Sequence, residues 1–259
     1  MWDLISYPIY ASIFLSVVIG IIGSLIVINK ASSITGSIAH GSFGGIGIGI
    51  FLGANIFLST TIFTIILAII LAFISIKIPS RKDSLISVIW ALGMSIGILF
   101  LSLSDGYHSD ALSYLFGNIL LIDKEDLFYM FLVDLILLIS TIILYNRFLA
   151  MSYDKEFLLL RKVDANLLYT YFLILTALSI VISVKSIGII LILALFTIPA
   201  LIAEKITNRL YKMMILSSII SLFIMISGIV ISYYFDISAS AMIVIIAALA
   251  LFISFIKKS

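Results

Sequence analysis

The chain has 259 residues, of which 63% are hydrophobic and 11% are charged, and its formal net charge is +2. Soluble domains carry about 25% charged residues, so this composition predicts an integral membrane protein that lies in a lipid bilayer. The absence of cysteine excludes disulfides, thiolate metal sites and iron–sulfur clusters. No GxxxxGK[ST] phosphate loop occurs, so we expect no ATP site in this chain, and nothing in it predicts nucleic-acid binding.

Nine hydrophobic runs follow one another along the chain. A spanning helix needs about 20 mostly apolar residues. The runs cover residues 7–28, 38–53, 56–76, 85–103, 127–149, 167–184, 187–203, 213–235 and 238–256. The second and seventh runs are short, so eight spans are the alternative. We predict an all-α fold, a polytopic transmembrane helical bundle that forms one domain over residues 1–259.

The positions of the basic residues favour nine spans. Of the fifteen Lys and Arg residues, an outside N-terminus leaves only Lys124 and Lys185 on the outer side and puts the other thirteen on the inner side. Basic residues concentrate in cytoplasmic loops of membrane proteins. Removing one span would reverse every later loop and destroy this pattern, so we expect the N-terminus outside and the C-terminus inside.

Two connections are longer than a tight turn. The outer one, 104–126, holds five of the thirteen acidic residues and the second histidine, His108. Residues 109–121 within it predict a short helix that lies on the membrane surface or dips into it. The inner connection, 150–166, predicts an amphipathic cytoplasmic helix over 154–164, which is too short to span the bilayer.

His40 is the only histidine inside a predicted span, and Asp134 is the only carboxylate well inside one. An ionisable side chain at that depth is costly and is a functional candidate by default. Neutral imidazole is the commonest protein ligand for transition metals. The structural interpretation of His40 is a hydrogen bond to a neighbouring helix, since buried polar groups need such partners in any case.

Glycines spaced four apart follow His40, at Gly41, Gly45 and Gly49. This spacing predicts a face on which another helix packs closely.

Three blocks of the sequence resemble those of one known family. They are ASSITGSIAHGSFGG at 31–45, YLFGNIL at 114–120 with an acidic helix start at 123–126, and VKSIGIILILALFTIPALIA at 184–203. Their order, their spacing and the total length fit across essentially the whole chain. The sequence is therefore similar to the permease subunits of the zinc/manganese family of ATP-binding-cassette (ABC) importers.

The resemblance implies a permease of a prokaryotic cell (inner) membrane that is not itself an enzyme and holds no cofactor. It implies a fold like that of the vitamin B12-type importers. It also implies a homodimer of permeases, with ABC ATPase subunits that bind ATP on the cytoplasmic side. An extracytoplasmic solute-binding protein would deliver the transported ion, Zn²⁺ or Mn²⁺.

The same resemblance suggests roles for individual residues on the ion route. The family has an acidic residue four positions before its histidine, where this chain has Gly36. We interpret His40 as part of the metal route. Asp134 has two interpretations, a local polar contact or a replacement for the missing acid. Because carboxylates suit manganese and imidazole suits zinc, the loss at Gly36 tilts the prediction towards zinc.

Two further groups of residues receive roles in the same way. The inner helix resembles a coupling helix to the ATPase, and its alternative is a helix on the lipid surface. Its contact residues would be Asp154, Glu156, Phe157, Leu158 and Arg161. Three outer residues would form a metal-attracting vestibule or dock the binding protein, and their alternative is an ordinary solvated loop. These residues are Asp105, His108 and Asp110.

One rival function belongs to a different class. His40 and Asp134 would serve as a proton relay in an ion-coupled secondary metal transporter, which needs no ATPase. Such carriers often contain internal repeats, and the sequence shows none.

Overall fold

The chain is a bundle of α-helices in the part that the computed structural model describes, residues 2–104, 109–154, 158 and 160–256. The first six helices are α1 (Trp2–Ile28), α2 (Ser32–Gly41), α3 (Phe43–Phe51), α4 (Ile56–Lys77), α5 (Lys82–Leu103) and α6 (Ser109–Phe116). The other five are α7 (Lys124–Tyr153), α8 (Ala165–Ile187), α9 (Ile189–Ile206), α10 (Leu210–Phe235) and α11 (Ala239–Ile256). Two short 3₁₀ turns lie at Pro79–Arg81 and Ile119–Leu121.

Nine segments of the described chain are long and apolar enough to cross a membrane. This number confirms the prediction of nine spans. Helices α2 and α3 together form the second span, Ser32–Phe51. Side chains start several of these helices: the Asn55 carbonyl oxygen accepts from the Leu58 amide, and the Asp164 carboxylate accepts from the first amides of α8. These caps satisfy amide groups that helix ends leave without an intrahelical partner.

The second span begins six residues earlier than the sequence predicted. The polar and small residues at its start suggest a loop, but the structure makes them helical and buries most of them. Their hydroxyl groups find carbonyl partners: Ser37 donates to the Ile86 carbonyl of α5, and Thr35 donates to the Ala31 carbonyl. Hydrogen-bonded hydroxyls can lie inside a helix bundle, because no polar group is left unsatisfied.

Three spans form the interior of the bundle. The first, second and sixth spans, built on α1, α2–α3 and α8, are 72%, 78% and 67% buried. Helix α1 packs against α10, α9 and α7, while α8 packs against α4 and α7. The outward faces of α4, α5, α10 and α11 carry exposed Ile, Leu and Phe side chains, as lipid-facing surfaces do. The second span is therefore enclosed by protein on most of its surface.

Glycines let the second span approach its two neighbours closely. A Cβ atom added to Gly93 of α5 would lie 2.5 Å from the Cα of Gly41, and one added to Gly45 would lie 2.7 Å from the Cα of Thr60 in α4. The Ser59 hydroxyl also donates to the Gly45 carbonyl, at 3.0 Å. The predicted packing role of this glycine ridge is confirmed, and its members contact two different helices.

We expect Gly93→Ala to lower the free energy of unfolding in detergent by about 1–3 kcal/mol, because the new methyl group meets backbone rather than a mobile side chain. Gly36→Ala is the matched control, since its Cβ would have only ordinary contacts, at 3.6 Å or more. Thermal denaturation monitored by circular dichroism compares the two variants. Equal stability of both variants would contradict this account of the packing.

Candidate functional site

His40 lies near the end of α2, about midway along the second span, and its side chain is partly buried. It stands eight residues from the inner end of the second span, a rise of about 12 Å along the helix. Its ring stacks on the indole of Trp90 in α5, with the centroids 4.2 Å apart and the planes 17° from parallel. The Nδ1 atom is buried and has no hydrogen-bond partner among the described residues. This nitrogen is therefore available to a ligand.

Trp90 is a site residue that sequence reasoning missed. Besides stacking on His40, its ring borders Gly36, where an added Cβ would lie 3.8 Å from Trp90 and 3.6 Å from Leu193. The space beside Gly36 is therefore bounded by an indole and an isobutyl group. Trp90 and His40 lie in different spans, and a single sequence contains no signal that pairs them.

Asp134 lies on α7, about three turns from its outer end. Its side chain is buried, with 5% relative exposure, and the Oδ1 atom has no hydrogen-bond partner among the described residues. Helix α7 contacts α1 through Phe131 and Phe14 and contacts α8 through Ser140 and Tyr171. No hydrogen bond or ion pair joins Asp134 to His40 in the described chain.

No three His, Asp or Glu side chains converge on a point that could hold a metal ion within the described residues. The two sequence-predicted metal residues are both present inside the bundle, but the structure does not bring them together. Each has one buried polar atom without a partner. A buried polar group without a partner costs about 1–3 kcal/mol, so both positions are costly to maintain.

An acidic cleft opens at the outer face, between the outer ends of α4, α7 and α8. Its cavity volume is about 180 Å³. Lys185 binds two acids there, with its Nζ atom 2.6 Å from Asp126 and 3.2 Å from Asp123. The Asp126 amide donates to the Asp123 carboxylate in a capping box, and this bond, helped by Lys185, lowers the pKa of Asp123. The remaining polar lining residues are Asn55, Thr60, Tyr114, Glu125 and Tyr129.

Two of the sequence blocks meet beside this cleft. Gly117 of the YLFGNIL block and Gly188 of the third block have φ angles of +70° and +87° and lie backbone against backbone. The Asn118 amide donates to the Lys185 carbonyl, at 3.1 Å. Ser240 of α11 donates to the Gly117 carbonyl. These contacts fix the outer corner of the bundle and the position of Lys185.

The side chains of the three predicted vestibule residues lie outside the part of the chain that the structure describes. Asp105 and His108 lie outside the described residues, and Asp110 lies in α6 at a position whose side chain is not described. The other three acids of this predicted outer loop, Asp123, Glu125 and Asp126, are described and lie at the start of α7. Their association with Lys185 could not be read from the sequence, because 59 positions separate Lys185 from Asp126.

The predicted coupling segment borders a second cleft at the inner end of α7. Glu156 and Phe157 lie outside the described residues. Leu158 is buried within this chain, with 2% exposure. Among the described apolar residues of the segment, Leu160 is the most exposed, at 84%. The cleft has a volume of about 730 Å³, and its charged lining residues are Arg147, Asp154 and Arg161.

The sequence profile of the ABC 3 transport family matches residues 1–258. A probable metal transport system membrane protein of Chlamydia muridarum is 32% identical over 92% of this chain and 84% of its own length. The high-affinity zinc uptake system membrane protein ZnuB of Buchnera aphidicola is 30% identical over 100% of this chain and 99% of its own. The manganese transport system membrane protein MntC of Listeria monocytogenes is 27% identical over 98% and 91%.

Solved structures resemble the same bundle. PsaBC from Streptococcus pneumoniae, solved in complex with a Fab, gives a TM-score of 0.88 at 26% identity over 97% of this chain and 91% of that one. A metal-chelate type ABC transporter in an inward-facing conformation shares the fold, with a TM-score of 0.74 at 19% identity over 97% and 85%.

The nine apolar spans of the described residues, with polar side chains buried among them, define an integral membrane protein of the polytopic α-helical class, as the sequence predicted. Within that class, the chain belongs to the ABC 3 transport family. The matched relatives are bacterial membrane proteins, and the chain is accordingly an integral protein of a prokaryotic cell (inner) membrane.

Gly188→Ala tests the outer corner. The new methyl group would collide with the backbone of Phe116 and Gly117 at a positive φ angle, so we expect a loss of more than about 2 kcal/mol of unfolding free energy. Gly53→Ala is the control, because Gly53 also has a positive φ angle but no neighbour within 4 Å. Its cost should be only the backbone strain, about 1–2 kcal/mol. Thermal denaturation in detergent measures both, and equal losses would refute the contact.

Proposed function

We propose that this chain is the permease subunit of an ATP-driven importer of divalent transition metal ions, zinc or manganese. Membership of the ABC 3 family supports the class of transporter, and the zinc and manganese systems named among its relatives support the ion. The structural observation that carries the proposal is the unpartnered Nδ1 atom of His40 inside the bundle. The transported ion is the substrate of this permease and not a resident cofactor.

His40 would contact the ion directly. Its free Nδ1 atom offers a lone pair of the kind that Zn²⁺ and Mn²⁺ accept from imidazole. Stacking on Trp90 fixes the plane of the ring, and the indole face attracts positive charge. A transport route must release its ion, so one or two ligands at a time suit it better than a closed four-ligand site. The lack of a three-donor cluster among the described residues agrees with this requirement.

Asp134 would supply the negative charge that is missing at Gly36. Its buried carboxylate oxygen without a partner supports an ion contact more than a local structural bond. No hydrogen bond or ion pair joins Asp134 to His40 among the described residues. They would therefore act at successive points of the route, or approach each other only as the helices rearrange.

The free energy for transport would come from partner subunits. We infer a homodimer of permeases, two ABC ATPases bound at the inner face, and an extracytoplasmic solute-binding protein that delivers the ion. The inner segment 154–164 would act as the coupling helix. The exposed Leu160 side chain and the charged rim formed by Asp154 and Arg161 support this role, because ATPase docking needs an apolar anchor with polar surroundings.

Metal uptake into proteoliposomes tests the function. The permease is reconstituted with its ATPase, and uptake of Zn²⁺ and Mn²⁺ is measured separately and in competition. We expect His40→Ala to lower the initial rate by at least about tenfold, the usual cost of losing a partner at a metal site. Asp134→Asn should also lower it, with unchanged thermal stability, since its Oδ1 atom loses no described bond.

Two outcomes of that experiment would contradict parts of the proposal. Full uptake by Asp134→Asn together with its loss in His40→Ala would show that Asp134 does not replace the missing acid. Uptake by the chain alone, driven by a pH gradient without ATPase, would favour the ion-coupled secondary transporter. An ATPase that co-purifies with the chain would favour the importer.

Leu160→Asp tests the coupling segment. A charge at this position should weaken ATPase docking and lower ATP-driven uptake by at least about tenfold. Removing an apolar side chain that a partner buries at the centre of an interface commonly costs about 2 kcal/mol or more of binding free energy. Ile206→Asp is the control, since Ile206 is an exposed apolar residue on a different inner turn, with 66% exposure. Uptake and pull-down of the ATPase are compared in the two variants. Equal effects of both changes would argue against a specific role for the segment.

A further inference from the structure

The acidic cleft at the outer face contains more negative charge than its own ion pairs neutralise. Among the described residues that line it, three are acids, Asp123, Glu125 and Asp126, and one is a base, Lys185. With all four ionised, the charge of the set is −2. That value equals the charge needed to balance one divalent cation. Lys124 lies between Asp123 and Glu125 in the sequence, but its side chain does not line the cleft.

Thr60 provides independent evidence that the cleft binds a ligand. It lines the same cleft and is 3% exposed, yet its hydroxyl group has no hydrogen-bond partner among the described residues. Its neighbour one turn further along α4, Thr64, shows the usual solution, because the Thr64 hydroxyl donates to the Thr60 carbonyl. A buried hydroxyl without a partner is unfavourable, and a cation in the cleft would satisfy its lone pairs.

We propose that this cleft is an entry site for the divalent cation, and that the Lys185 ammonium group occupies it when the ion is absent. The inference rests on the proposed import function and adds a second ion site, separate from His40. Lys185 is held through its backbone, where its carbonyl accepts from the Asn118 amide. Its side chain can therefore leave Asp126 without loss of the outer corner.

The donor chemistry of the cleft determines which ion it favours. Among the described residues that line it, all polar side chains other than Lys185 offer oxygen or amide groups and none is an imidazole, and the chain has no cysteine. Hard oxygen ligands suit Mn²⁺ better than Zn²⁺. The described residues form no group of three acids or histidines able to enclose a metal, so the ion would keep several of its waters. Binding of this kind is weak, as a route that passes the ion inwards requires.

The path from this site leads towards the residues of the proposed route. Met130 lines the cleft, and Asp134 lies one helical turn deeper on α7. Ile46 also lines it, and His40 lies six residues deeper on the second span. An ion released by Asp126 would therefore have one proposed ligand, Asp134, deeper on α7 and the other, His40, deeper on the second span.

Mn²⁺ binding to the purified full-length permease, without ATPase, tests the site. Bound Mn²⁺ is measured as loss of the electron paramagnetic resonance signal of the free ion. We expect Lys185→Gln to raise the affinity about tenfold, because the competing positive charge is removed. Asp126→Asn should lower the affinity to a similar extent, and Lys124→Gln should leave it within about twofold, because its side chain lies outside the cleft.

Thr60→Val provides the sharpest comparison, since valine has the same shape and the hydroxyl loses no described bond. We expect this variant to keep or raise the melting temperature and to bind Mn²⁺ at least about threefold more weakly. A structural role alone would leave Mn²⁺ binding unchanged. Unchanged affinity in both Thr60→Val and Lys185→Gln would overturn the proposal.

The His40→Ala variant separates this inference from the proposed function. Mn²⁺ binding at the outer cleft should persist in His40→Ala, whereas uptake should be lost. If wild-type permease with its ATPase imports metal but the cleft variants bind Mn²⁺ like wild type, only the entry site fails. If the cleft variants behave as expected but no condition gives ATP-driven uptake, only the transport function fails.

Discussion

The low-dielectric interior of the bundle is the constraint on which the other features depend. Buried polar groups have no water there, so each must find a partner within the protein. Most hydroxyl groups inside the spans donate to a carbonyl of the preceding turn, as Ser24 does to Gly20 and Thr176 to Phe172. A small set of described side chains, including His40 and Asp134, keeps a buried atom without a partner. Such exceptions are costly for stability, and His40 and Asp134 are the two whose side chains could bind an ion as imidazole and carboxylate ligands.

Close helix packing gives His40 its surroundings. The contact of Gly41 with Gly93 brings α2 against α5, and Trp90 lies one turn before Gly93 on the same helix. The indole can therefore reach the imidazole face at 4.2 Å. A bulkier residue in the glycine seam would separate the two helices and break the stack. The same glycines that stabilise the bundle thus also position the candidate metal ligand.

The sequence predicted the class of fold well, because nine apolar runs and the distribution of basic residues depend on local composition. It also predicted the glycine ridge and a short helix over 109–121, which the structure divides at Gly117 into α6 and a 3₁₀ turn. The start of the second span was placed too late, because residues 32–37 are polar or small. The hydroxyl groups of Thr35 and Ser37 are hydrogen-bonded inside the bundle, which allows this stretch to be helical and buried. The pairs His40–Trp90 and Lys185–Asp126 could not be predicted. Each joins residues from separate spans, and a single sequence does not show which spans pack against each other.

The central claim is that His40 contacts the transported ion, and the emission of Trp90 tests it most directly. The chain has two tryptophans, so a full-length Trp2→Phe variant leaves Trp90 as the sole reporter. On titration with Zn²⁺ or Mn²⁺, the account predicts a saturable change in Trp90 emission that disappears when His40→Ala is added. The same saturable change in the His40→Ala background, or no change at metal concentrations that support uptake, would contradict it.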